Sequence, residues 1–284
     1  MALELLQRLS AALRRQTGPV GSMRIESIYV AGWRGDLRFT QCCIASIRRW
    51  YPTIDVCLIK DYIDGDYDTA ALEQAFNVRL FDAPRQRYGW GLAKLEPLFL
   101  PTRHRCLILD SDIVFAGPVL ESLERTDEDF VLVKEAHAPE AIRNAYFDPE
   151  VVERRFPGYA FPGWVSNTGQ FVGTTGILRR DDFLPYLQGG TPLDSPFKSG
   201  EQGVLNFVLH SKLRQKQITL RRLPFMHWPP SMEPDAIDID RLMSGRGYPF
   251  LLHWAGPKTR PFEEMPMSPV LAYFEALYKA RVAS

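Results

Sequence analysis

The sequence predicts an α/β protein: a mixed, mostly parallel central sheet flanked by helices. Three observations carry that expectation. Short apolar runs rich in branched residues alternate with segments of helical periodicity between residues 25 and 115, in the order β-α-β-α-β-α-β. That order is what a parallel sheet with crossover helices produces. The 284 residues are 45% apolar and 24% charged, enough for one large domain with a substantial core. Finally, Arg105-Cys106-Leu107-Ile108-Leu109-Asp110-Ser111-Asp112-Ile113-Val114-Phe115 reads as one buried strand interrupted by two carboxylates.

Taken in order, the chain opens on an amphipathic helix with Leu3, Leu6, Leu9 and Leu13 on one face. Gly18-Pro19-Val20-Gly21 then reads as a linker. Residues 1–22 are therefore set apart from one domain over 23–284. The helix is expected to pack on the domain or a partner, with peripheral membrane contact as the alternative. Residues 25–31 form a first strand. A helix with Leu37, Ile44, Ile47 and Trp50 follows and ends at Pro52. A strand at 55–59, a helix near 69–76, a strand at 78–81 and a helix at 92–100 lead into the Asp110 strand. Beyond it come a strand at 130–133, a long Pro- and aromatic-rich loop at 136–166, and strand material at 167–178. An apolar helical segment at 204–209 follows, then a Pro-rich loop at 226–240. A last strand at 249–254 and a closing helix around 270–281 complete the chain.

Lys plus Arg equals Asp plus Glu, 34 each, which speaks against a nucleic-acid partner. The four cysteines, Cys42, Cys43, Cys57 and Cys106, lack metal-ligand spacing. They read as buried thiols of a reducing, cytoplasmic compartment. No apolar run reaches membrane-spanning length, and the start of the chain lacks a secretory apolar core.

Side chains alternate along a strand, so Asp110 and Asp112 are expected to project together. Two carboxylates at the end of an apolar strand are costly unless compensated. A hard divalent cation is their natural partner, Mn²⁺ or alternatively Mg²⁺. Read alone, the common Asp-x-Asp tripeptide is better taken as opening a turn before Gly117-Pro118; the rest of the chain shifts the balance. In open α/β sheets ligands bind at the carboxyl ends of the strands, where these residues fall.

Four further segments belong with it: Ala93-Lys94-Leu95 upstream; Ser166-Asn167-Thr168-Gly169; Glu201-Gln202-Gly203-Val204-Leu205-Asn206; and His253-Trp254-Ala255-Gly256-Pro257-Lys258 near the end. In order and rough spacing these resemble the GT-A glycosyltransferases of family 8, across residues 25 to 262. The resemblance implies that Asp110, Asp112 and His253 hold Mn²⁺ on a nucleoside-diphosphate sugar, and that Lys94 points toward that donor. It implies that Lys258 or Arg260 meets the diphosphate. The family's His-x-x-Gly-x-x-Lys-Pro places its lysine directly before the proline, where Arg260 precedes Pro261 here. Asn167, Gln202 and Glu201 match positions near the sugar and its reacting carbon. Glu201 replaces an aspartate common in the family. Ala31 and Gly32 resemble the nucleoside-binding turn, with Trp33 and Arg34 where acidic residues are usual. Ser111 and Gly256 lie within the matched donor-binding segments.

The expected activity is transfer of a hexose from a nucleotide-sugar donor, a UDP-sugar, to a carbohydrate or other hydroxyl acceptor, with retention at the anomeric carbon. The aromatic loop at 136–166 is the expected acceptor surface. Two other readings stand beside it. One is a non-catalytic nucleotide-sugar-binding homologue, suggested by Trp33, Lys258 and Glu201. The other is a metal-dependent nucleotidyltransferase, for which Ala31-Gly32-Trp33-Arg34-Gly35 is a poor phosphate loop.

Overall fold

A computed structural model describes residues 24–61, 66–82, 92–186, 196–233, 235–256 and 258–284. The helix and linker expected over 1–22 lie outside the described residues. The main sheet contains β1 (Ser27–Trp33), β2 (Asp55–Asp61), β3 (Arg79–Leu80), β4 (Arg105–Asp110), β6 (Phe130–Val133), β7 (Gln170–Thr174) and β8 (Leu220–Leu223). A smaller sheet is made by β5 (Ile113–Phe115), β9 (Met226–His227) and β10 (Leu251–His253). The main sheet runs β3-β2-β1-β4-β7-β6-β8. Its pairs are parallel except for those of β7 with β4 and with β6. This is the mixed, mostly parallel sheet the sequence predicts.

The helices are α1 (Leu37–Trp50), α2 (Ala70–Phe76), α3 (Leu120–Leu123), α4 (Pro139–Ala145), α5 (Pro149–Arg155), α6 (Glu201–Arg214), α7 (Ile239–Met243) and α8 (Ser268–Val282). Residues Leu92–Phe99 form a 3₁₀ helix with Pro97 inside it. Strand alternation divides the core between the two faces of the sheet. Leu107 and Leu109 of β4 join α1 and α8 residues such as Ile44, Ile47, Leu271 and Phe274 on one side. Cys106 and Ile108 join Leu95, Leu98, Val204 and Leu205 on the other. Arg48 ties α1 to the end of α2, its guanidinium donating to the carbonyls of Phe76 (2.7 Å), Asn77 (2.8 Å) and Ile54 (2.6 Å). Carbonyls left open by a helix C-terminus are thereby satisfied.

The structure corrects several expectations. Residues 105–115 are two strands in two sheets, because the chain turns at Ser111-Asp112. Of 167–178 only Gln170–Thr174 is strand, since the chain turns at Gly176, which takes a φ of 71°. The aromatic loop contains α4 and α5, and most of its aromatics are core: Tyr146 and Phe147 are buried, and Phe156, Tyr159, Phe161 and Trp164 pack against the same cluster. The expected loop at 226–240 contains β9 and the start of α7. All four cysteines are buried and free. Among the described residues no helix is long and apolar enough to cross a membrane.

Candidate active site

The order of the main sheet reverses between β1 and β4, so their carboxyl ends flank the crevice where ligands of such sheets bind. Ala31 pairs with Asp110 across that boundary. The Ser111 amide donates to the Ala31 carbonyl (2.9 Å) and carries the pairing one residue past β4. By alternation Asp110 falls on the face of Cys106 and Ile108, where the 3₁₀ helix and α6 pack. There Lys94 Nζ lies 2.7 Å from Asp110 Oδ1 and 2.6 Å from Glu201 Oε1. Lys94 is 2% exposed and Glu201 5%. Burial alone would lower the Lys94 ammonium, but the two carboxylates outweigh it and hold it above its ordinary value. Burial also raises the Asp110 carboxyl, helped by Glu201 and Asp112 and opposed by Lys94 and His253, up to about 6.

The turn at Ser111 carries the chain into the smaller sheet and sets Asp112 beside His253 of β10. Asp112 Oδ1 and His253 Nε2 are 3.2 Å apart, both side chains buried. Lys258 Nζ donates to Asp112 Oδ2 (2.7 Å), to the Trp254 carbonyl (2.6 Å) and to the Gly256 carbonyl (3.0 Å). Gly256 takes a φ of 86°, turning the chain so that Lys258 folds back. Burial opposes ionisation of Asp112, yet His253 and Lys258 hold it well below the usual carboxylate range. Ligand atoms of Asp110, Asp112 and His253 all lie within 4.8 Å of one another. Among the described residues Asp112 Oδ1 is buried without a hydrogen-bond partner, an arrangement a cation would relieve. Two carboxylates and an imidazole suit Mn²⁺, which takes both oxygen and nitrogen donors.

Gly169 closes the third side. Its carbonyl accepts from the Asp110 amide (2.6 Å), and a Cβ there would collide with the His253 ring and with Asn167 Oδ1. Asn167 Nδ2 donates to Gln202 Oε1 (3.0 Å), and Thr168 Oγ1 donates to Glu201 Oε1 (2.8 Å). The segment before β7 is thus fastened to the first turn of α6. These contacts link Lys94, Asp110, Asp112, Asn167, Glu201, Gln202, His253 and Lys258, with Ala31 paired to Asp110; two other expected residues differ. Arg260 is exposed and, among the described residues, makes no ion pair. Trp33 is 37% exposed and lies over Gly35, where a Cβ would strike its ring.

Three participants escape the sequence reading. Asp36, just before α1, is raised by burial and by Asp112, with Lys258 opposing, so it faces the same crevice. Glu135, two residues past β6, accepts from the Trp228 indole at Oε1 (2.8 Å) and from the Asn167 amide at Oε2 (3.1 Å). His137 Nε2 lies 3.3 Å from the same Oε2. Burial raises Glu135, but His137, the Asn167 amide and Trp228 together lower it. Trp228 stacks on the His253 ring, centroids 4.9 Å apart at 25°. The strand-end rule that singles out Asp110 also points to Glu135.

No protein-family model matches the sequence, and no curated protein matches it. Solved structures do. The apo structure of WbbM, a bifunctional glycosyltransferase, superposes with a TM-score of 0.60 at 14% identity, over 94% of this chain and 53% of its own. The glycosyltransferase GlyE of Streptococcus pneumoniae gives 0.55 at 14%, over 92% and 63%. The galactosyltransferase LgtC, in complex with donor and acceptor sugar analogs, gives 0.55 at 15%, over 89% and 95%. The fold is GT-A. This chain spans about half the length of the WbbM structure and nearly the whole of LgtC. With the GT-A architecture in place, the acidic cluster lies between the main sheet and the smaller one, each supplying one side of it.

Proposed function

We propose that the chain is a divalent-cation-dependent hexosyltransferase that takes its sugar from a nucleoside diphosphate, a UDP-hexose in the first instance, with retention. The observation that carries the reading is the joining of Asp110, Asp112 and His253, distant in sequence, into one buried cluster at the carboxyl edge of a GT-A sheet. These three side chains would hold Mn²⁺, which supplies Lewis-acid neutralisation of the departing diphosphate. Lys258, already at Asp112, is the cation available to the phosphate oxygens. Arg260, exposed, is a weaker candidate. Lys94 fixes Asp110 and Glu201 by charge from beneath. Asn167 and Gln202, bonded to each other, line the reacting carbon.

Gln202 is too weakly basic to take a proton, so the acceptor hydroxyl gives its proton to the leaving phosphate oxygen. The bond from the anomeric carbon to that oxygen breaks as the bond to the acceptor oxygen forms on the same face, which retains configuration.

A thermal-shift panel of UDP-hexoses, GDP-hexoses and nucleoside triphosphates, each with and without Mn²⁺, tests the proposal. The expected result is stabilisation by a sugar nucleotide only with the cation, release of nucleoside diphosphate on turnover, and loss of both in Asp112→Asn. Stabilisation by triphosphates alone favours a nucleotidyltransferase. Sugar-nucleotide binding without turnover across a broad acceptor panel favours a binding homologue.

A further inference from the structure

We infer that Trp228 is a positioning residue for His253: its stacked indole, rather than a hydrogen bond, fixes the imidazole so that Nε2 faces the acidic pair. A metal-ligating histidine ordinarily donates its second ring N–H to a carboxylate, carbonyl or water, which sets both tautomer and ring angle. His253 departs from that pattern. Its Nδ1 is buried and finds no hydrogen-bond partner among the described residues. Something else must restrain rotation about the side-chain bonds. Two contacts do. Gly169 backs against the ring at Cε1 with no room for a side chain, and Trp228 covers a face at 4.9 Å and 25°.

The stacking partner is itself held in place. β9 runs parallel to β10 with Leu252 opposite His227, so one residue further along Trp228 falls beside His253. Pro229 then starts a short 3₁₀ turn in which the Ser231 amide donates to the Trp228 carbonyl (3.0 Å). The indole Nε1 donates to Glu135 Oε1. Glu135 Oε2 is taken by the Asn167 amide, with His137 alongside. Both oxygens of Glu135 are therefore engaged, and its carboxylate acts as a clamp between the cation side and the Asn167 side of the crevice. The inference rests on the cation reading given above.

The test measures Mn²⁺ affinity of the full chain by electron paramagnetic resonance, with ¹⁴N modulation of the bound-ion signal as the mark of imidazole ligation. Wild type and Trp228→Phe, which keeps a stackable ring, should agree within about threefold and both show the modulation. Trp228→Leu should bind about 10- to 100-fold more weakly, as when an outer partner of a metal ligand is removed, and lose the modulation. A merely structural role would lower the melting temperature without touching the ¹⁴N signal of the bound ion. Unchanged affinity and modulation in Trp228→Leu overturn the inference. So does a loss in Trp228→Phe as large as that in Trp228→Leu, which would assign the effect to the indole N–H. If Trp228→Leu does not fold, Trp228→Met fills more of the same space and is read in the same way. A wild-type chain that binds no divalent cation defeats the functional reading itself, which separates the two failures.

Discussion

Lys94→Met isolates the electrostatic keystone of the site. The substitution keeps the bulk of a side chain that is 2% exposed and removes an ammonium 2.7 Å from Asp110 and 2.6 Å from Glu201. Breaking a buried ion pair by deleting one partner costs about 3–5 kcal/mol, because the remaining charge stays uncompensated. The Asp110 side chain is 32% exposed, so solvent screens that half, and the lower end of the range applies. With an unfolding entropy of roughly 0.6 kcal/mol/K for a chain of this size, the melting temperature should fall by about 5 °C. The sign with pH follows from the same charges. Without Lys94, which opposes the rise, the Asp110 carboxyl titrates higher still, so the folded mutant takes up a proton as pH falls and recovers stability. Calorimetry at pH 7.5 and pH 5, without divalent ions, should therefore show a gap from wild type that narrows in acid. A gap under about 2 °C at pH 7.5, or one that does not change with pH, would refute the argument.

Gly169→Ala places a methyl group against the His253 ring and Asn167 Oδ1. The overpacking should cost about 1–3 kcal/mol in urea unfolding and weaken Mn²⁺ binding in the same preparation. Lys258→Met should weaken UDP binding in the presence of Mn²⁺ by about 10- to 100-fold, the worth of a charge-assisted hydrogen bond, with Arg260→Met close to wild type; equal losses by calorimetric titration would count against the assignment. His210, nearly buried, is held neutral by desolvation and by Arg222, its value lowered from 6.5 to about 3. The unfolded chain binds that proton first, so stability is full above about pH 6.5 and falls on acidification toward pH 3, by up to about 1.4 kcal/mol per unit. Urea unfolding of wild type and His210→Gln at pH 7, 5.5 and 4.5 should show the steeper acid loss in wild type.

The sheet was readable from residues 25 to 110 because β1, β2 and β4 are mostly buried on both faces and separated by helix or loop, whereas the two-residue β3 is exposed. The grouping of Asp110 and Asp112 was readable from the sequence pattern, while His253 joined them only through the resemblance, since nothing local ties it to them. What escaped did so for identifiable reasons. β8, Leu-Arg-Arg-Leu, is a half-exposed edge strand without an apolar run. The split of 105–115 turns on Ser111-Asp112, and strand alternation brings the same two carboxylates together whether the chain turns or runs straight. α4 and α5 are seven residues each, too short to set a helical period against the aromatics around them. Trp228 sits in a Pro-rich stretch whose local sequence speaks only of turns, and its role comes from the pairing of β9 with β10, a contact between residues far apart in the chain.

The charges of the crevice explain why the lysines and a cation can share it. Leaving the imidazole aside, Asp110, Asp112 and Glu201 carry three negative charges against the two positive charges of Lys94 and Lys258. One negative charge is in excess, and Asp36 adds to it from the side. A divalent cation would cancel that excess and lower the repulsion a diphosphate would otherwise meet. Geometry removes the competition that proximity suggests. Lys258 occupies Asp112 Oδ2, while Oδ1, turned toward His253, has no hydrogen bond among the described residues. Lys94 occupies Asp110 Oδ1, and a Cβ placed on Gly169 would meet Asp110 Oδ2 as well as the His253 ring. Each aspartate thus gives one oxygen to a lysine and keeps the other for the space beside His253, so a cation can enter without expelling either ammonium.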